Sequence, residues 1–306
     1  MDDGRRDFSS DGIVAGVDPV EAVTRAGGVA PLAEVRRLVT RRALARALES
    51  GAVVRLPRHQ LSLPGVDAAR RAAAATGGVV SHLSAAQHWG WKVKLPPQRP
   101  SVTVPRGRRL DRDGGCLLAT YDVHWADLTG ADHVGGVTAR VRTVIDCARD
   151  LEFDAALAVA DSALRCGVSA GALADGASGL PRTGRARAQR VACEASELAD
   201  NPFESVLRAI ALDVPGLHVR PQGWISRVGR VDLVDEELRI AIEAESWAHH
   251  GSPEQFRSDV RRYTDFARLG WVVARFVWEQ AMYQPDEVHL ALAQIARVHR
   301  QQLGRL

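Results

Sequence analysis

Residues 238–245 read Leu-Arg-Ile-Ala-Ile-Glu-Ala-Glu, a strict alternation that a β-strand sorts onto two faces. Leu238, Ile240, Ile242 and Ala244 fall on one side, and Arg239, Ala241, Glu243 and Glu245 on the other. In the preceding run, residues 228–234, Val231 and Leu233 alternate with Arg230, Asp232 and Val234. For the two apolar faces to coincide, a one-residue slip is forbidden. A two-residue turn at Glu236-Glu237 sets Asp232 opposite Ala241 and diagonal to Glu243, ~7–8 Å away, within reach of a shared cation. Asp232, Glu243 and Glu245 are therefore expected on one polar face. Carboxylates that close raise one another's pKa unless a cation or an arginine offsets them. All-oxygen donors suit Mg2+ or Mn2+, which activates water and stabilises the charge that develops in phosphodiester cleavage. A solvated acidic strand balanced by Arg230 and Arg239 is the simpler alternative.

Around this pair, Pro202 opens a helix with Glu204 in its first turn. Residues 217–226 read as a further strand, 253–269 as a helix, 271–277 as a strand and 285–300 as a last helix. The order is α-β-β-β-α-β-α. The pieces Pro202-Phe203-Glu204-Ser205, Gly229-Arg230-Val231-Asp232, Ile242 to His250, Asp259 to Arg262 and Gly270 to Phe276 stand in that order. On them, the last third of the chain resembles the PD-(D/E)XK nuclease superfamily, in its very-short-patch-repair-like branch. The resemblance implies that Asp232 and Glu243 bind metal and that Glu204 is a further acid on metal or water. Where the superfamily usually has lysine this chain has Glu245, and relatives in this branch often carry an acid there. A glutamate there serves as base or extra ligand but brings no positive charge. His249 or His250, with ordinary pKa values near ~6.5, would assist proton transfer, and Arg262 would face the scissile phosphate. Trp271, Phe276 and Trp278 read as core.

The basic residues are distributed unevenly. Lys92 and Lys94 are the only lysines, so 38 of the 40 basic residues are arginine. Residues 20–66 carry eight arginines against three glutamates, a local charge of +5, whereas residues 198–300 carry −3. A basic head joined to an acidic tail points to nucleic acid. In the head, Asp18-Pro19 starts a helix ended by Gly27-Gly28. A second begins near Pro31 with Leu32, Val35 and Leu38 inward, and Thr40 caps a third, with Leu44 and Leu48 inward. Residues 53–56 and 60–63 form a hairpin around Pro57-Arg58. That pattern is a winged helix-turn-helix, with Arg41, Arg42 and Arg46 on the recognition helix and Arg58 at the wing tip meeting DNA. Through Gly27-Gly28-Val29, Thr40-Arg41-Arg42 and Gly51 to Arg55, it resembles the AbiEi family of antitoxin-like regulators. A solvated basic face is the alternative.

The middle segment reads as mixed α/β: helices at 68–76 and 84–89, strands at 101–104, 116–123 and 137–141, a helix from Arg142, and a linker at 176–184. It is similar to the second part of AbiEi-like proteins through Arg142-Thr143 to Asp146 and Asp161 to Leu164. The arginines at 106, 108, 109 and 112 read as a solvated loop or a second phosphate contact. Four scattered cysteines without C-x-x-C spacing exclude a zinc ribbon or a disulfide framework. No run approaches the ~18 apolar residues of a membrane span, and the polar N-terminus has no secretory pattern. The expectation is a cytoplasmic α+β protein. It has a winged helix-turn-helix (18–66), an AbiEi-like α/β segment (67–180) and a nuclease-like domain (185–306). Its partner would be double-stranded DNA and its cofactor Mg2+ or Mn2+, with no organic cofactor and no membrane. The competing expectation is a non-catalytic DNA-binding regulator with a degenerate nuclease fold and a toxin or other protein partner.

Overall fold

The computed structural model describes residues 17–110, 114–245 and 253–304 and mixes helices with sheets, an α+β chain. It divides into two compact units, Met1–Val80 with Arg99–Asp127 and Ser81–Gln98 with Leu128–Leu306. Among the described residues no helix is long and apolar enough to cross a membrane.

In the first unit Asp18 caps α1 (Pro19–Arg25) by accepting the Val20 N–H at 2.8 Å, with proline at the first helical position. β1 (Val29–Pro31) runs into α2 (Leu32–Leu38). Thr40 Oγ1 then caps α3 (Arg41–Glu49) through the Ala43 N–H at 3.2 Å. β2 (Val54–Leu56) and β3 (Gln60–Ser62) pair as a hairpin, and the sheet order is β1-β3-β2, antiparallel throughout. Val23, Val35, Leu44, Val53 and Leu61 fill the core between helices and sheet. Leu38, expected inward, is 52% exposed. It is the last residue of its helix, and the chain turns extended at Val39, which takes the buried place.

Asp67 caps the alanine-rich α4 (Ala68–Thr76), and Gly77 closes it in the left-handed conformation, φ 68°. β4 (Val79–Val80) follows. After α5 (His82–His88), which belongs to the second unit, come β5 (Ser101–Val104), α6 (Gly114–Thr120) and β6 (Asp122–Trp125). β5 lies antiparallel to β4 and parallel to β6. The strand expected over 116–123 is thus the end of a helix and the start of a later strand. Cys-Leu-Leu-Ala is apolar without β-branching, and such a short run suits either state.

Beyond α5, the second unit continues with β7 (His133–Val134) and β8 (Val137–Thr138), turned by Gly135-Gly136 at positive φ. The strand expected over 137–141 stops at Thr138, because Ala139 is already the cap of α7 (Arg140–Asp150). α8 (Phe153–Arg165), α9 (Ala170–Ser178) and α10 (Arg182–Glu194) follow; the expected linker over 176–184 begins only after Ser178, and its end is a kink at Thr183 and Gly184, the latter at φ 80°. These helices bury a core of small side chains, including Ala148, Ala156, Ala160 and Ala163, against Val159, Leu173 and Val191.

Asn201 caps α11 (Pro202–Leu212), its Oδ1 accepting the Glu204 N–H at 3.1 Å. Beyond lie β9 (Arg220–Ile225), β10 (Gly229–Asp235), β11 (Ile240–Glu245), α12 (Pro253–Arg268), β12 (Val272–Val277), α13 (Trp278–Tyr283) and α14 (Pro285–Leu303). This is the expected order with one short helix added. The sheet runs β12-β11-β10-β9. β9, β10 and β11 are antiparallel, while β11 and β12 are parallel and joined through α12, the crossover that a parallel pair needs. One face carries Leu233, Ile240, Ile242, Ala274 and Phe276 against α11 and α14. The other carries Ile225, Val231, Val234 and Ala241 against Phe266 of α12. A buried ion pair ties α8 to α11: Arg208 Nη2 donates to both oxygens of Asp161 at 2.8 and 2.9 Å, and Arg208 Nη1 to the Glu194 carbonyl at 2.5 Å.

The hairpin register differs from expectation by two residues. Ala241 faces Val234, not Asp232, because the turn is four residues long, Glu236 to Arg239, with Arg239 at φ 51°. Buried Asp235 organises it by accepting the Leu238 N–H at 2.8 Å and the His218 N–H at 2.7 Å. A two-residue error preserves the faces, so the carboxylate side of β11 is as expected. In β10, Val231 leaves the Leu233 face and joins Val234 across from α12. Strict alternation therefore breaks at Asp232, where the neighbouring strand has Gln222 at φ 54°.

Candidate functional site

The acids meet in one cleft of the second unit, about 900 Å³ in volume. Glu204 comes from the first turn of α11, Asp232 from the middle of β10, and Glu243 and Glu245 from the end of β11. Arg262 and Tyr263 of α12 and Trp278 of α13 complete the walls, with Lys94 at one side.

Glu204 is buried and held from three directions: the Asp200 N–H at 2.9 Å, Asn201 Nδ2 at 2.7 Å and Gln222 Nε2 at 2.9 Å. That occupies three of a carboxylate's about four acceptor sites. Asp232 accepts the Ala244 N–H at 2.8 Å, which locks its side chain to the neighbouring strand. Glu243 is 4% exposed; one oxygen accepts from Arg262, and Oε2 is buried with no hydrogen-bond partner. Glu245 pairs with Arg275, Nε to Oε1 at 2.9 Å, and the Arg275 guanidinium lies 4.5 Å over the Tyr263 ring.

Burial pushes the pKa values of Glu204, Asp232 and Glu243 above the usual carboxylate range. Donated hydrogen bonds and the arginines pull the other way; the neighbouring acids add to the rise, Asp232 acting on both glutamates. Tyr263, desolvated beside Glu243, is pushed up to about 12.

The oxygen-only donor set and the orphaned Glu243 Oε2 fit a hard divalent cation, which Asp232 and Glu243 are expected to hold. Among the described residues, no three carboxylates of the cleft each bring an oxygen within 4.8 Å of the others. Arg262, expected at a phosphate, is engaged by Glu243 and by the Arg230 carbonyl at 2.7 Å. Arg41, Arg42, Arg46 and Arg58 lie in the first unit, all exposed. His249 and His250 lie outside the described residues. Phe276 is core, but Trp278 is 37% exposed at the cleft, edge-on to Tyr283. The partners that sequence reasoning missed are Arg275, Tyr263 and Gln222. Arg275 meets the site only because β12 runs parallel to β11 and sets it beside Glu243, a pairing across thirty-odd residues without a local signal.

No family model matches the chain. Two uncharacterized proteins of Mycobacterium tuberculosis, MT2308 from strain CDC 1551 and Rv2248 from strain H37Rv, are each 29% identical over 162 residues, 51% of this chain. The chain spans 60% of the length of these relatives. Among solved structures, the RV2827C protein of Mycobacterium tuberculosis is similar at a TM-score of 0.37 and 17% identity, over 62% of this chain and 78% of that one.

Proposed function

We propose that this chain is a cytoplasmic DNA-binding protein whose cleft hydrolyses phosphodiester bonds with Mg2+ or Mn2+, a nuclease of the PD-(D/E)XK kind. The observation that carries the reading is the meeting of Glu204, Asp232, Glu243 and Glu245 in one cleft, with one buried Glu243 oxygen unpaired. Scaffolding alone gains nothing from desolvating acids whose charged forms burial disfavours. Asp232 and Glu243, with Glu204 as a further acid, would hold the cation, whose contribution when bound is to acidify a water and offset charge on the phosphate. Glu204 keeps Asp200, Asn201 and Gln222 in place at the mouth of α11. Arg262 and Arg275 keep the acids charged and aligned, and either guanidinium can turn to an incoming phosphate.

For duplex DNA, the support is the first unit. Its order of helix, strand, two helices and hairpin, with strands β1-β3-β2, supports the winged-helix reading, and Arg41, Arg42 and Arg46 are exposed on the third helix. The second reading is a non-catalytic, antitoxin-like regulator with a protein partner. The ion pairs of Arg262 with Glu243 and Arg275 with Glu245 favour it, since they neutralise two of the acids without a metal.

Incubation of the full chain with supercoiled plasmid in Mg2+, Mn2+ or EDTA separates the two. The nuclease reading expects metal-dependent nicking, reduced on the order of a hundredfold or more by Asp232→Asn and by Glu243→Gln. Intact plasmid in every lane, with DNA still bound in EDTA, selects the regulator.

A further inference from the structure

We propose that Arg58 and Arg108 form a clamp for a single backbone phosphate of DNA, a site in the first unit that rests on the DNA-binding reading above. The two residues are fifty positions apart in sequence yet meet over the left-handed C-cap of α4. A Cβ at Gly77 would stand 3.1 Å from Arg108 Nη2 and 3.2 Å from Arg58 Nε, which places both guanidiniums beside this one residue. Their nitrogens are then about 6 Å apart or less, a separation at which like charges repel even in water. No acid among the described residues forms an ion pair with either.

Arg108 is held by hydrogen bonds, and Arg58 is placed by its position in the hairpin. Arg108 Nη2 donates to the Gly77 carbonyl at 3.4 Å. Its backbone N–H reaches the Pro105 carbonyl at 2.8 Å, and its carbonyl accepts from Trp125 Nε1 at 3.3 Å. Arg58 sits at the tip of the β2–β3 hairpin at φ 59°, followed by His59 at φ 55°. Consecutive positive-φ residues turn the hairpin, and they fix the point from which the Arg58 side chain leaves it. Folding draws no gain from bringing together two guanidiniums that no described acid offsets, whereas a phosphate oxyanion accepts from two forks at once. The clamp therefore fits the sugar–phosphate backbone rather than a base edge and carries no sequence preference.

The test is binding of the full chain to a fluorescent duplex in EDTA, between about 50 and 200 mM salt, for Arg58→Ala, Arg108→Ala and the double variant. Neutralising one phosphate contributes about 0.9 to the slope of log affinity against log salt. A clamp predicts that either single change removes about that much, lowers affinity roughly tenfold, and that the double variant is no worse. Lysine at both positions keeps the slope and loses only the fork. A double variant that loses about twice the slope means two separate contacts and overturns the clamp. Unchanged slopes, with binding still weakened by Arg41→Ala, overturn the clamp and leave the DNA reading standing. A wild-type chain with no salt-sensitive binding overturns both. Equal melting temperatures exclude misfolding as the cause of any loss.

Discussion

Arginine does opposite work in the two units. On α3, Arg41, Arg42 and Arg46 stand exposed, and no acid among the described residues forms an ion pair with them. In the second unit Arg208, Arg262 and Arg275 are each bound to a carboxylate. Regional net charge, +5 in the head and −3 in the tail, gives the sign of each field but not this division of labour. An exposed cation is available to a polyanion and is screened by salt. A paired, half-buried one shapes a pocket, and it is costly to strand.

The contrast is sharpest in stability. Asp161→Ala strands the Arg208 guanidinium, 3% exposed, between α8 and α11 and should cost about 3–5 kcal/mol in urea unfolding. Arg41→Ala should stay within about 0.5 kcal/mol. A loss under about 1 kcal/mol for Asp161→Ala would erase the distinction.

Much of this was legible beforehand, where the signal is local. The helix start at Pro202, the Thr40 cap and the two faces of β11 follow from neighbouring residues, and the structure has each. The register was not legible, because Glu236 to Arg239 carries no glycine or asparagine to announce a turn with positive φ; Asp235 supplies the geometry instead. The break in alternation at Asp232 depends on the kinked neighbour Gln222, and the Arg275–Glu245 pair on a parallel crossover. Both are set by tertiary pairing, which no window of sequence contains.

Within the cleft, Arg262 occupies one oxygen of Glu243, so guanidinium and metal compete for the same carboxylate. Arg262→Met should therefore raise Mn2+ affinity roughly tenfold, the scale of one charged hydrogen bond, as read by calorimetry or Mn2+ resonance. Unchanged or weaker Mn2+ binding would mean that Arg262 orders the site rather than filling it.

The smallest effect is that of pH. Burial raises Glu204, Asp232 and Glu243, so the folded chain holds their protons more tightly than the unfolded one. Their contribution to stability is greatest below the unfolded value near ~4 and declines as pH rises through the raised folded values. Glu243→Gln should thus gain stability relative to wild type as pH rises across that window. A melting-temperature difference that is flat from acid to neutral pH would count against the burial argument.

Strand β9 closes one side of the cleft's sheet, and its free edge is a place where a second chain could add a strand. Three features spoil that template. Pro221 lacks an N–H, Gln222 bends the backbone at φ 54°, and Arg220 brings a charge, in a strand that also shows Trp224 at 72% exposure. The kink that breaks the alternation beside Asp232 thus also makes the sheet edge a poor template for a further strand: one irregularity bears on both the acidic site and the edge.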